Sequence, residues 1–349
     1  MLEPARDEVA LAVVESSQVG EVRRLAQALA RRVGFPPVAE GTVALIVTEL
    51  ANNLARHARD GELIVRALAP PLRAGLEFTA IDRGPGVADF ARCLADGYST
   101  AGTPGTGLGA VIRQCNTFDA YSVPGEGTVV VARYHVPAIG PREASRAAAG
   151  LDLDLGAICL PLAGESECGD AWACEVVGPV GHSLMLVDGL GHGPKAAEAA
   201  DAALATFRKN PRFGPGEHLA AIHLALRGTR GASVAVASID GGGGQLRYAG
   251  VGNIAGTILG GDGVRRGLVS HNGTAGQAMP KNQEFAYPWP AGSLLVMHSD
   301  GLATSWRIDE RHALRSRSPG VIAAALYRDF RRVRDDVTVV VARAGGDPA

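Results

Sequence analysis

The stretch that most constrains this chain is LMLVDGLGHGPKAAEAADAAL, residues 184–204. An apolar run through Val187 stops at Asp188. Gly189, Leu190, Gly191, His192 and Gly193 follow, and then an alanine-rich segment of helical period begins, with Pro194 suited to its first position. The pattern predicts a buried strand that carries one carboxylate to its end, a tight glycine turn, and a helix. A carboxylate at a strand end, beside backbone that permits close approach, suits a hard cation. An ordinary Asp-Gly turn before a helix has the same local sequence, so the rest of the chain must decide.

A length of 349 residues predicts about two domains. The 46% hydrophobic content is globular, and the 46 glycines exceed the usual share of roughly 7%, which implies many turns and close backbone approaches. A net charge of −2 argues against a nucleic-acid or membrane-surface binder, which would carry a basic excess. The cysteines, Cys93, Cys115, Cys159, Cys168 and Cys174, are odd in number and form no CxxC pair. Reduced thiols fit better than a zinc site or a disulfide framework. The first residues, MLEPARDEVA, lack the pattern of a secretory signal, and no apolar run approaches the roughly 18 residues of a membrane span. These features predict a cytoplasmic protein.

In the first part of the chain, strands are expected at 9–14, 62–68, 74–81 and 129–136, and helices at 18–33, 38–58 and 107–116. Residues 84–107 are rich in glycine and proline and are expected to form a loop with short helical pieces. Glu49 and Asn53 lie one turn apart on one helix face. Asn53 offers an amide oxygen to Mg²⁺, and Glu49 can orient or deprotonate a nucleophile; two solvated polar residues are the plain alternative. In IDRGPGV, Asp82 ends a strand beside Gly84 and Gly86, where a carboxylate can accept from the exocyclic amine of adenine. In GTPGTGLGAVIRQC, Gly102, Gly105, Gly107 and Gly109 precede a helix whose amides suit phosphate, although no GK[ST] follows as in a Walker A loop.

TELANN, DRGPG and GTGLGA, in that order, resemble the N, G1 and G2 boxes of the GHKL ATPase/kinase superfamily. With STAGTPGTGLGAV and the closing GEGTVVVARY, the stretch resembles most the anti-sigma-factor and stressosome switch kinases, RsbT- and RsbW-like, over about residues 8–136. The resemblance implies Glu49 as general base, Asn53 as Mg²⁺ ligand, Asp82 on adenine with Gly84 and Gly86 beside it, Gly105, Gly107 and Gly109 along the phosphates of ATP, and Thr128 supporting the adenine end. The phospho-acceptor histidine hairpin of sensor kinases is missing, and His57 reads as structural.

Residues 137–155 mix proline, alanine and charge without an apolar stripe, and are expected to link a domain at 1–136 to one at 156–345. Strand patterns recur at 156–163, 171–178, 183–187, 232–239, 245–251, 254–259, 264–269, 293–298 and 337–343, with helical patterns at 194–209, 216–227 and 318–331. They predict an α+β sandwich with its helices outside. Asp170, Asp188, Asp300 and the pair Asp335-Asp336 each stand at a strand boundary. Carboxylates converging at one end of a sandwich, with few His or Cys, would favour Mg²⁺ or Mn²⁺ over zinc and suit in-line phosphoryl chemistry.

ECGDAW, VDGLGHG, YAGVGN, HSDGL and DDVTVVV are similar to motifs of the metal-dependent Ser/Thr protein phosphatases, the PPM family, in its SpoIIE-like branch, over about 156–344. CGD in place of GGD, with no Asp four residues after Asp170, points to the RsbX-like subgroup and leaves the number of metal ions open. The resemblance implies an α-β-β-α sandwich and, as metal ligands, Asp170, Asp188, the Gly189 carbonyl, Asp300 and Asp335, with Asp336 competing for the last place. Gly252 and Asn253 fall in a turn near that site and receive no metal role. His192 and His298 are expected to support or pack, and Trp172 to lie in the core.

The combined expectation is a GHKL (Bergerat) ATP-binding sandwich followed by a PPM sandwich, a bifunctional enzyme of a partner-switching stress or sigma-factor pathway. A kinase-like domain using ATP and Mg²⁺ and a phosphatase domain using Mn²⁺ or Mg²⁺ would act on a STAS-domain antagonist, in a stressosome-like complex, with no nucleic acid or membrane as partner. The alternative is a phosphatase whose N-terminal domain only senses ATP or sequesters a partner.

Overall fold

The structure, a computed structural model, describes residues 8–69, 72–88, 107–137, 153–178, 181–240, 244–308 and 312–344. The chain divides into two compact units, Met1–Gly150 with Ala313–Arg317, and Leu151–His312 with Ser318–Ala349.

In the first unit, antiparallel strands run in the order β1-β2-β3-β5-β4: β1 (Glu8–Ala12), β2 (Glu62–Leu68), β3 (Gly75–Ile81), β4 (Thr117–Val123) and β5 (Gly127–His135). Helices α1 (Val19–Val33) and α2 (Pro37–His57) pack together against this sheet. Apolar residues at three- and four-residue spacing make their buried faces: Val22, Ala26, Leu29 and Ala30 on α1, and Val43, Ile46, Val47, Leu50 and Leu54 on α2. Gly34, at φ 95°, ends α1 in the left-handed conformation, and Pro37 starts α2 where a missing amide costs nothing. Truncating the buried Leu50 to Ala would cost roughly 2–5 kcal/mol.

The second unit is an α-β-β-α sandwich. One sheet runs β13-β10-β9-β8-β7 and the other β12-β11-β14-β15-β6. The strands of the first sheet are β7 (Asp170–Val177), β8 (Gly181–Gly189), β9 (Ala232–Asp240), β10 (Gln245–Val251) and β13 (Phe285–Pro288). Those of the second are β6 (Leu153–Leu160), β11 (Ala255–Leu259), β12 (Arg265–Gly267), β14 (Leu294–His298) and β15 (Val337–Ala344). Helices α4 (Pro194–Lys209) and α5 (Pro215–Ala225) cover the first sheet and α6 (Pro319–Phe330) covers the second; α3 (Gly107–Gln114) belongs to the first unit. β7, β8, β9, β14 and β15 are buried along most of their length, as strands between a helix layer and a second sheet must be. Trp172 is buried on β7, as expected.

Strand β6 begins at Leu153, three residues earlier than its sequence pattern suggested, so residues 153–155 of the expected linker are strand. Residues 138–152 of that linker, Cys93, Gly102 and Gly105 lie outside the described residues. Strands β4 and β13 were not anticipated.

Candidate active sites

In the first unit, α2 presents Glu49 and Asn53 half-buried, one turn apart. The start of α3 lies against them: a Cβ at Gly107 would come 3.4 Å from Asn53 Oδ1 and 3.5 Å from Glu49 Oε2. Gly109 is buried within α3. Asp82 follows β3 directly. Its amide donates to the Thr128 carbonyl at 2.9 Å, and its Oδ1 accepts from the Gly84 amide at 2.6 Å, which fixes the carboxylate in a turn. Gly86, at φ +66°, lets the loop lie on β4; a Cβ there would meet the Val123 carbonyl oxygen at 2.1 Å.

Sequence reasoning missed Ser122. Its Oγ accepts from the Val87 amide at 2.8 Å and lies 2.9 Å from Thr128 Oγ1, so two hydroxyls back the turn that carries Asp82. Ser122 is on β4, whose alternation is interrupted by Asp119, and that hid both strand and residue.

In the second unit, Asp170 opens β7 and stands directly opposite Asp188 on β8. Asp300 follows β14 by two residues, and Asp335 and Asp336 immediately precede β15. Burial, followed by repulsion from Asp170, Asp300, Asp335 and Asp336, pushes the Asp188 carboxyl up to about 9. Asp170, 1% exposed, is pushed up to about 7 mainly by burial, with hydrogen bonds from Ser299 and Thr338 opposing and Asp336 adding to the rise. Burial and Asp300 likewise raise Asp335. These side chains therefore form one electrostatic cluster.

Asp336 is raised by burial, but both its oxygens are engaged: Oδ1 accepts from the Leu162 amide at 2.6 Å and Oδ2 from the Gly169 amide at 2.8 Å. It pins the segment between β6 and β7. Asp335 instead faces the cluster: its Oδ1 accepts from the Asp336 amide at 3.0 Å, and its carboxyl shares a hydrogen bond with Asp300. Asn253 donates from Nδ2 to Asp300 Oδ2 at 2.8 Å, a contact its place in the sequence did not disclose.

His298 is structural: its Nε2 accepts from Trp306 Nε1 at 3.1 Å and its Nδ1 donates to the Ser299 carbonyl at 2.8 Å. His192 is half-exposed, with Nδ1 2.7 Å from Glu165 Oε1.

The second site fits a divalent cation. Asp170 Oδ2 is buried without a hydrogen-bond partner among the described residues, and the donors are all oxygens, as hard cations require. Among the described residues no three such side chains already meet at coordinating distance.

A nucleotide-binding domain joined to a metal-dependent phosphatase domain is the class that this fold and these two sites define. Residues 6–134 match the family model of the histidine kinase-like ATPase domain, and residues 180–345 match that of stage II sporulation protein E, SpoIIE. The serine/threonine-protein kinase RsbT of Bacillus subtilis (strain 168) is 32% identical over 126 residues, 36% of this chain and 95% of RsbT. A solved structure described as "The bacterial stressosome: a modular system that has been adapted to control secondary messenger signaling" is 31% identical with a TM-score of 0.52, covering 55% of this chain and 99% of that one. A crystal structure of RsbX in complex with magnesium is 22% identical with a TM-score of 0.48, covering 54% and 94% respectively. The chain belongs to the RsbT family through its histidine kinase-like ATPase domain, and fuses that domain to a SpoIIE-type PP2C serine/threonine phosphatase domain. It is a partner-switching regulator with an RsbT-like kinase domain. Among the described residues no helix is long and apolar enough to cross a membrane.

Proposed function

We propose that this chain both phosphorylates and dephosphorylates a serine or threonine of one STAS-domain partner. The proposal assigns residues 1–136 to the kinase domain, 156–345 to the phosphatase domain and 137–155 to their linker, and places the protein in the cytoplasm. The phosphatase half is carried by one observation: Asp170 and Asp188 face each other across β7 and β8 in a cluster with Asp300 and Asp335, with Asp170 Oδ2 buried and unpaired.

Asp170, Asp188, Asp300, Asp335 and the Gly189 carbonyl would hold Mn²⁺ or Mg²⁺. When bound, the cation polarises water and neutralises phosphoryl charge. Asp336 keeps the Gly169 backbone, and with it Asp170, in place, while Asn253 orients Asp300.

In the kinase half, Asp82 accepts from the adenine amine, supported by Thr128. Asn53 would hold Mg²⁺, and Glu49 would take the proton of the attacking hydroxyl. Gly107 and Gly109 would line the phosphates of ATP, with Gly105, outside the described residues, assigned to the same loop. The alignment of Gly107 against Glu49 and Asn53 supports this reading.

The direct test uses a phosphoserine or phosphothreonine peptide with protein stripped by EDTA. Activity is expected to return with Mn²⁺ or Mg²⁺ and to be lost in Asp188→Ala. Full activity in EDTA would refute the metal site. A stressosome-like assembly is the expected setting and is checked by co-purification with STAS-domain proteins.

A further inference from the structure

The substrate's phosphoryl group poses an electrostatic problem. It brings negative charge to a site already walled by Asp170, Asp188, Asp300, Asp335 and Asp336. Beyond a bound cation, the approach would need a positive group at the rim.

Arg230 lies against the turn that follows Asp188. The chain after α5 turns at Thr229, whose Oγ1 donates to the Leu226 carbonyl at 2.7 Å and accepts from the Gly231 amide at 3.0 Å. The Gly231 carbonyl accepts from the Leu190 amide at 3.0 Å, and Gln277 Nε2 donates to the Arg230 carbonyl. Gly231, the residue after Arg230, is thus tied to the turn that follows Asp188, while Thr229 is held within its own connection. The guanidinium reaches across that turn: a Cβ at Gly191 would stand 3.1 Å from its Nη1. Gly191, at φ +86°, is therefore both the residue the turn conformation favours and the one that leaves room for the arginine. The side chain is exposed, and among the described residues no carboxylate pairs with it. His192 is the next residue along the turn and is held by Glu165.

We infer that Arg230 binds the phosphoryl group of the substrate, its N–H groups donating to two phosphoryl oxygens in the bidentate geometry that guanidinium favours. This deepens the proposed phosphatase function and rests on it. It assigns phosphate recognition to the loop between α5 and β9, which no sequence motif had marked.

The test compares wild type, Arg230→Ala, Arg230→Lys and Arg227→Ala. The last removes the same charge from an exposed position in the same connection. Three quantities are read with Mn²⁺ present: KM and kcat for a phosphoserine peptide, inhibition by inorganic phosphate, and Mn²⁺ affinity by calorimetry. Loss of charged hydrogen bonds should raise KM and the phosphate inhibition constant together by roughly tenfold or more in Arg230→Ala. Mn²⁺ affinity should hold, Arg230→Lys should recover part of the loss, and Arg227→Ala should behave as wild type. Unchanged phosphate inhibition in a folded Arg230→Ala protein, or an equal loss in Arg227→Ala, overturns the inference. If wild type shows no metal-dependent hydrolysis, the phosphatase reading itself fails. Phosphate affinity of wild type and Arg230→Ala, measured by calorimetry, then still decides: a difference supports the anion site, and no difference or no binding refutes it.

Discussion

Asp188 and Asp170 are carboxyls directly opposite each other across two strands, so each resists the other's ionisation and lowers stability unless something positive joins them. Replacing Asp188 by Asn removes that repulsion while keeping the side chain's shape. In EDTA, Asp188→Asn should melt above wild type, by about 1–3 kcal/mol or a few degrees, because the wild-type carboxyl is forced up to about 9. Added Mn²⁺ should stabilise wild type and leave the variant unchanged. A variant that melts lower in EDTA would contradict the like-charge account.

Asp82 is tested separately. Its Oδ1 is committed to Gly84, and Asn would present a mixed donor and acceptor to adenine. The lost charged hydrogen bond should weaken ATP at least roughly tenfold by calorimetry. Unchanged affinity in folded Asp82→Asn would remove Asp82 from the adenine site.

At the scale of elements, β2, β3 and β5 are tied by Arg66, Glu77 and Arg133, which stand opposite one another across three strands. Arg66 Nη2 and Arg133 Nε each lie 2.6 Å from a Glu77 oxygen, and Arg66 and Glu77 are each 2% exposed. Burial alone would raise the Glu77 carboxyl, but the two guanidiniums outweigh it and hold it below the ordinary value. Glu77→Gln leaves buried positive charge without its counter-ion and should destabilise the first unit by about 3–5 kcal/mol in chemical denaturation.

His218 on α5 tests the other unit. It is buried between Phe207 and Phe213, with ring centroids at 4.5 Å and 5.7 Å, and among the described residues neither ring nitrogen has a hydrogen-bond partner. Burial pushes it down from 6.5 to about 4, against a small opposing pull from Glu217. The unfolded chain therefore binds the proton first. Stability from neutral His218 is present above about pH 6.5 and is lost as pH falls toward 4, by ~1–3 kcal/mol. His218→Leu should flatten that part of the stability profile; an identical profile would exclude His218 as the cause.

The strongly periodic elements were legible from sequence: α1, α2, α4, α5 and α6, and the strands buried on both faces. The missed strands have physical reasons. β4 is an edge strand in TFDAYSV, where charge breaks the alternation, and β13 has only the four residues FAYP and ends in proline. At the sites, the aspartates were visible because each stands at or beside one end of a strand pattern. Asn253 was placed in a turn near the second site but its bond to Asp300 was not, and Ser122 and Arg230 were not seen, because such contacts across register and turns have no local spacing.

For the whole molecule, the central claim is that one chain carries opposing phosphate chemistries for a common partner. Either activity alone would suffice for a conventional enzyme; acting on one partner, the two would give a regulator whose output is a balance. Glu49→Ala should stop phosphorylation and spare hydrolysis. The most direct measurement gives Asp188→Ala protein labelled ATP, Mg²⁺ and the STAS-domain protein that wild type dephosphorylates, and follows phosphoserine and phosphothreonine by mass spectrometry. The account predicts that phosphorylated partner accumulates with Asp188→Ala and not with the Glu49→Ala, Asp188→Ala double variant. A partner that never becomes phosphorylated by Asp188→Ala would contradict it and leave the first unit as a nucleotide sensor or docking domain.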